Sequence, residues 1–188
     1  MTRGILIILS GPSGVGKGTV RQVLFEHQEL GLHYSISMTT RKPRPGEVDG
    51  RDYFFVDQQT FEKTIAEDGF LEYATFVSHS YGTPKAYVEK LLEEGKNVLL
   101  EIEMQGALQV MKKCPDALSI FLLPPSLEEL ERRIRHRGTE AEEVIRQRME
   151  TARKEMNMKD HYQYQVVNQT VEQASNEIAA IILKNMKK

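Results

Sequence analysis

The chain reads as an α/β protein with a parallel sheet flanked by helices. Three observations predict it. Residues 5–9, 98–102 and 118–123 are short, nearly continuous apolar runs, the pattern of strands covered on both faces. Segments with apolar residues at helical spacing alternate with these runs. The first run also feeds directly into a glycine-rich turn and then a helical stripe.

Length and composition narrow the possibilities. At 188 residues the chain suits one folding unit with a sizeable core. Hydrophobic residues make up 40% and charged residues 28%, which is globular. A net charge of −2 gives no field for coating a nucleic acid. The single cysteine, Cys114, excludes an internal disulfide and a zinc cluster and fits a reducing compartment. The run at 5–9 is too short to cross a bilayer. It leads into Gly11-Pro12-Ser13-Gly14 rather than a cleavage site, so it reads as a buried strand and not an export signal. The expected compartment is the cytoplasm, with neither membrane nor nucleic acid as partner. Nothing in the sequence sets the oligomeric state.

Each element follows in order. After the strand at 5–9 and the glycine turn, Val20, Val23 and Leu24 mark a helix. Residues 34–38, 53–56 and 71–77 are short and rich in aromatic and branched residues. They predict a small antiparallel β insertion, with a helix around Phe61 and Ile65. Pro84 and Gly95 bracket a return helix over 85–94. The strand at 98–102 is followed by a helix through Ala107, Val110 and Met111, then by the strand at 118–123. Ser126 and Glu129 have capping-box spacing before Leu127, Leu130 and Ile134. Thr139 and Glu142 repeat it before Ile145, Met149, Ala152 and Met156. A strand at 164–167 and a helix through Val171, Ala174, Ile178 and Ile181 complete the chain. The division is one domain over 1–188. Its core is 1–33, 83–125 and 158–188, with a β flap at 34–82 and an arginine-rich helical excursion at 126–157.

Gly11-Pro12-Ser13-Gly14-Val15-Gly16-Lys17 matches G-x-x-x-x-G-K. Glycines let successive N–H groups turn toward phosphate oxygens, and the following helix aims its positive end at the same anion. Lys17 would reach the outer phosphates. The next position is Gly18, where a Ser or Thr commonly ligates Mg²⁺, and Thr19 comes one residue later. The metal is therefore expected to be held mostly by phosphates and water, with indirect help from Thr19 and no dedicated protein ligand.

The flap offers a second anion site. Arg41, Lys42 and Arg44 place three cations in four residues beside stiffening prolines. Composition alone equally allows a solvated basic turn. A pair of guanidinium forks can hold a phosphate dianion, with Tyr53 and Tyr81 as added hydroxyl donors. Glu72 sits in the otherwise apolar Phe70-Leu71-Glu72-Tyr73. Strand alternation could leave it on the wet face. Alternatively its carboxylate reads guanine, whose adjacent N–H and NH₂ donors it could accept, with Ser37 and Thr83 as further partners. Arg132, Arg133, Arg135 and Arg137 lie among Glu128, Glu129 and Glu131, so surface i,i+4 pairing competes with a catalytic role.

These pieces together resemble the guanylate kinase family. The matching segments are residues 11–19, 37–44, 46–53, 70–72 and 81–83, then 101–106, 124–126 and 137–139. They run in family order over essentially the whole chain. The resemblance implies a P-loop NTPase-type parallel sheet flanked by helices, with a small β-rich GMP-binding insertion and a helical lid. It implies transfer of a phosphoryl group from MgATP to GMP, with ATP and GMP as small-molecule substrates. It assigns ATP to Gly11, Pro12, Ser13, Gly14, Val15, Gly16, Lys17, Gly18 and Thr19, and the adenine region to Asn168. It assigns the GMP phosphate to Arg41, Arg44, Tyr53 and Tyr81, and guanine to Ser37, Glu72 and Thr83. Lys17, Arg41, Arg133, Arg137 and Arg148 become the catalytic set. Glu101 and Glu103 stand where the family often has Asp, and reach GMP or a magnesium-bound water. Two alternatives accompany this reading. One is a related module that binds proteins without catalysis, against which the intact phosphate loop argues. The other is a kinase for a different monophosphate, from which Glu72 discriminates.

Overall fold

The computed structural model describes residues 2–76, 78–136 and 141–186. Strand β1 (Leu6–Ser10) leads through the glycine turn into helix α1 (Lys17–Leu24). Then come β2 (Leu32–Tyr34), β3 (Met38–Thr39), β4 (Phe54–Phe55), α2 (Gln58–Ala66), β5 (Phe70–Phe76) and β6 (His79–Pro84). Helix α3 (Lys85–Glu93) precedes β7 (Asn97–Glu101), α4 (Met104–Lys113) and β8 (Leu118–Leu123). Helices α5 (Leu127–His136) and α6 (Glu142–Met156), strand β9 (Tyr164–Val167) and helix α7 (Val171–Met186) follow.

The continuous apolar runs become inner strands of a five-stranded parallel sheet, in the order β2-β7-β1-β8-β9. All five residues of β1 and the first five of β8 are buried, as helices on both faces require. β1 and β8 run parallel with Ile7 opposite Leu118, and β8 and β9 with Ile120 opposite Tyr164. A second sheet has the order β4-β3-β6-β5.

By packing the chain divides into two units. One comprises Met1–Leu6, His33–Leu100 and Gln105–Ala117. It contains the four-stranded sheet with α2 and α3. The other comprises Ile7–Leu32, Glu101–Met104 and Leu118–Lys188. Its core is built on Ile7, Ile8, Leu9 and Phe121, with Leu24 from α1 and Ile178 from α7, all fully buried. Among the described residues no helix is long and apolar enough to cross a membrane.

Several elements differ from the sequence expectation. The single strand expected at 34–38 is two strands in different sheets. The Ser35 N–H still donates to Leu99 O at 3.1 Å, after which the backbone turns away and β3 begins in the smaller sheet. That smaller sheet is mixed rather than antiparallel. β3 pairs with β4 in parallel because the long connection from Thr40 to Tyr53 lets the chain cross over, while β6 is antiparallel to both β3 and β5. β6 was not anticipated as a strand, since Gly82 and Pro84 obscure it. At Ser126 the serine half of the capping box forms, with Glu129 N–H donating to Ser126 Oγ at 3.1 Å, while the Glu129 carboxylate accepts from Arg132 and Arg133 instead. The second does not begin α6: Thr139 lies outside the described residues, and Ala141 caps the helix without a side-chain bond. In α7 the buried stripe ends on Ile182 rather than Ile181, keeping the i,i+4 step from Ile178.

Truncating the core of the larger sheet tests this packing. Ile8→Ala at a fully buried position should lower unfolding free energy by about 2–5 kcal/mol. In urea unfolding this appears as a lower midpoint with an unchanged slope.

Candidate active site

The glycine turn after β1 forms a loop closed by its own lysine. Lys17 Nζ donates to Gly11 O at 2.6 Å and lies 3.9 Å from Glu103 Oε1. Gly16 has φ +100°, and a Cβ there would stand 2.8 Å from Asn168 Nδ2. Only glycine permits both that backbone and that approach. Lys17 is the first residue of α1, so the positive end of the helix and the lysine charge converge on one concave surface.

Three residues from later elements hold this loop. The buried Asn168, just past β9, donates from Nδ2 to Val15 O at 2.8 Å. Arg133 on α5 reaches Val15 O at 3.3 Å and Asn168 O at 3.2 Å, while its Nε donates to Glu129 Oε1 at 2.9 Å. Arg148 on α6 donates to Ser13 Oγ at 2.8 Å. The two acids paired with Arg132 and Arg133 are one residue: Glu129 serves both, and these hydrogen bonds, Arg132's first, hold its carboxyl down at about 2. Arg137 lies outside the described residues.

Two hollows flank the loop. One, about 390 Å³, is bounded by Gly14, Gly16, Thr19, Arg132, Arg133 and Asn168, with Gln169 to Val171 completing it. The other, about 300 Å³ and strongly polar, is lined by Ser13, Gly16, Lys17, Gly18, Thr19, Glu101 and Glu103. Glu101 is not free in it, because Arg21 Nε donates to Glu101 Oε2 at 2.6 Å. A Cβ on Gly18 would come within 3.7 Å of Glu101 Oε1, so the position that lacks a hydroxyl faces a carboxylate.

In the other unit the basic turn is organised by an acid. Both guanidinium nitrogens Nη1 and Nη2 of Arg41 meet the two carboxylate oxygens of Glu47 at 2.9 Å. The Arg44 backbone N–H donates to the same carboxylate at 2.7 Å. The Arg41 guanidinium carbon lies 5.3 Å from the Tyr53 ring centre and 5.8 Å from that of Phe55. Tyr53 and Tyr81 are in edge contact at 6.1 Å. Arg41, Tyr53 and Tyr81 therefore form one cluster. The Arg41 hydrogen bonds, with that of the Arg44 N–H second, bring the Glu47 carboxyl down to about 2.

Glu72 is buried, 8% exposed. Thr83 Oγ1 donates to its Oε1 at 2.5 Å. A register shift between Phe70 and Glu72 in the β5–β6 ladder explains the burial. The irregularity interrupts alternation, so Phe70, Leu71 and Glu72 are all buried in succession. Burial raises the Glu72 carboxyl above its ordinary range, and the hydrogen bonds from Thr83 partly oppose this. Ser37 is half-buried just before β3, where its carbonyl accepts from Phe54 N–H at 2.9 Å.

A buried carboxylate acceptor, an arginine backed by aromatic rings and an intact phosphate loop direct the comparison with known proteins. The family model described as guanylate kinase matches residues 3–185. The chain belongs to the guanylate kinase family. A guanylate kinase of Latilactobacillus sakei subsp. sakei (strain 23K) is 57% identical over 180 residues, 96% of this chain and 89% of that protein. One of Bacillus subtilis (strain 168) is 55% identical over 181 residues, again 96% of this chain and 89% of that protein. The crystal structure of guanylate kinase from Anaplasma phagocytophilum superposes with a TM-score of 0.76 at 32% identity, covering 100% of this chain and 88% of that one.

Within this guanylate kinase chain, sequence reasoning located the loop, the basic turn and Glu72, but missed what holds them. Glu47 was given no role of its own beyond lying within residues 46–53. Its six-residue separation from Arg41, across Pro43, Pro45 and Gly46, was the available signal for a folded-back pair. Arg21 and Gln109, which engage Glu101 and the backbone of Tyr73, carry no motif at all.

The Glu47 value gives a pH prediction. Its carboxyl lies at about 2, below the 4.5 of a free glutamate. Depression means that ionised Glu47 supports the turn. That support is fully present above 4.5 and is lost as pH falls through about 2. Carboxyl NMR titration should place the Glu47 midpoint near 2, and Arg41→Ala should return it toward 4.5.

Proposed function

We propose that the chain transfers the γ-phosphoryl group of ATP to GMP, giving ADP and GDP. The observation that carries this reading is the buried Glu72–Thr83 pair, in a chain that also has a closed phosphate loop and an arginine–tyrosine cluster. Guanine presents a ring N–H and an exocyclic NH₂ on one edge, both donors to a carboxylate. Adenine presents an acceptor at the corresponding ring position and would leave a buried carboxylate unpaired.

Phosphoryl transfer requires alignment and charge neutralisation more than covalent chemistry. Lys17 and backbone N–H groups of the loop after Pro12 bind the donor phosphates, with the adenine side near Asn168. Arg41, Arg44, Tyr53 and Tyr81 bind the acceptor phosphate, and Ser37, Glu72 and Thr83 the base. Arg133, Arg137 and Arg148 neutralise charge on the moving group. The attacking phosphate oxygen is already ionised at neutral pH, so no strong general base is needed. In this reading residues 34–82 bind the acceptor and 126–157 act as the lid.

The polar hollow beside Lys17 supplies hard oxygen donors suited to Mg²⁺, from Thr19, Glu101 and Glu103. With Glu101 already engaged by Arg21, these residues would hold the ion through water while phosphate oxygens ligate it directly. Bound there, Mg²⁺ neutralises phosphate charge. Glu101 would also come near GMP. A cytoplasmic location fits the reducing environment that a lone cysteine suits. The near-neutral net charge supports small nucleotides rather than nucleic acid as partners.

The test is ADP release by the purified chain with MgATP and each nucleoside monophosphate in turn. GMP should be the preferred acceptor. Glu72→Gln should lower kcat/KM for GMP on the order of 100-fold or more, while KM for ATP changes less than about threefold. A preference for AMP or dTMP, or retained GMP activity in the variant, would contradict the base assignment.

A further inference from the structure

The carboxylate of Glu72 lies against the first turn of α4. A Cβ on Gly106 would stand 2.6 Å from Glu72 Oε2, 3.1 Å from Cδ and 3.2 Å from Cγ. Such approaches are well inside van der Waals contact, and the obstacle would be the buried Glu72 carboxylate itself. Gly106 therefore creates the room in which the side chain takes its position. The same helix face holds the backbone around Glu72. Gln109 Oε1 accepts from Tyr73 N–H at 3.2 Å, and its Nε2 donates to Tyr73 O at 3.1 Å. That amide acts as a short stretch of neighbouring strand on β5, an edge strand. Lys113 Nζ donates to Phe70 O at 2.7 Å and to Asp68 Oδ1 at 2.7 Å. Residues 106, 109 and 113 are spaced three and four apart, on one face of the helix. They bracket the register shift that turns Glu72 inward.

We propose that this face of α4 is the positioning element for acceptor-base recognition, with Gly106 as its decisive member and Gln109 as the clamp on the backbone. The proposal rests on the reading that Glu72 recognises guanine. Gly106 and Gln109 are positioning residues: they act through Glu72 and touch no reacting atom. An added methyl at 106 displaces the carboxylate from Thr83 and from the base. The bound ATP is not affected, so the loss falls on GMP alone.

The test is steady-state kinetics of the full chain with MgATP and GMP. Gly106→Ala should raise KM for GMP at least tenfold and leave KM for ATP within twofold, with a cooperative thermal transition showing that the variant is folded. In a Glu72→Asp background, where the side chain is one methylene shorter and withdraws from α4, the same glycine substitution should change KM for GMP less than threefold. Gln109→Leu, which removes both bonds to Tyr73 but adds no atom near Glu72, should raise KM for GMP severalfold with KM for ATP unchanged. A rise below twofold in Gly106→Ala would overturn the proposal, as would an equal factor in both backgrounds. If Gly106→Ala does not fold, an unchanged KM for GMP in Gln109→Leu overturns it. Glu72→Gln separates the two levels. Unchanged GMP kinetics in Glu72→Gln would sink the base reading itself, whereas impairment there without an effect of Gly106→Ala would sink only the role of α4.

Discussion

A carboxylate buried at Glu72 is the constraint around which the smaller sheet is arranged. Removing an ionised group from water is unfavourable unless donors replace the lost hydration. The protein supplies one such side-chain donor, the Thr83 hydroxyl, to Oε1. A base with two adjacent donors can supply the rest. In the proposed function, discrimination comes from an interaction that the protein leaves for its ligand to complete. The surrounding structure serves to keep that carboxylate in place: a register shift in β5 turns it inward, and a glycine on α4 leaves it room.

The cations follow a different logic. Arg41 is matched by Glu47, Arg133 by Glu129 and Arg21 by Glu101. Each guanidinium is held in a defined orientation by a carboxylate, and in the proposed function this limits the side-chain entropy that Arg41 and Arg133 lose when a phosphate binds. The near-zero net charge of the chain thereby has a local meaning. Acids sit beside the arginines as well as on outer helix faces.

The larger sheet was legible in the sequence because its physics is one-dimensional. The runs at 5–9 and 118–123 can only be buried strands, and the glycine turn between strand and helix states its own geometry. Glu72 was legible as a polar residue in an apolar segment, but its burial was not, since alternation alone gave either face. The irregularity that decides it depends on pairing with β6, a strand concealed by Gly82 and Pro84. The parallel pairing of β3 with β4 was equally hidden, because it is set by how a long proline-containing loop crosses the sheet. Asn168 shows a further limit. A resemblance places it near the adenine, and its Nδ2 also holds the carbonyl of Val15 and so shapes the loop, a contact that no motif announces. Gly106 illustrates the same point. A glycine within a helix reads as a weak position, and only the fold reveals that its missing Cβ leaves space for the Glu72 carboxylate.

The most direct measurement compares GMP with IMP, which keeps the ring N–H but lacks the exocyclic amino group, by calorimetric titration of the purified chain. If Glu72 accepts from both donors, IMP binds on the order of tenfold or more weaker than GMP. In Glu72→Gln the gap narrows because GMP loses most. Equal affinity of the wild-type chain for the two nucleotides would contradict the account.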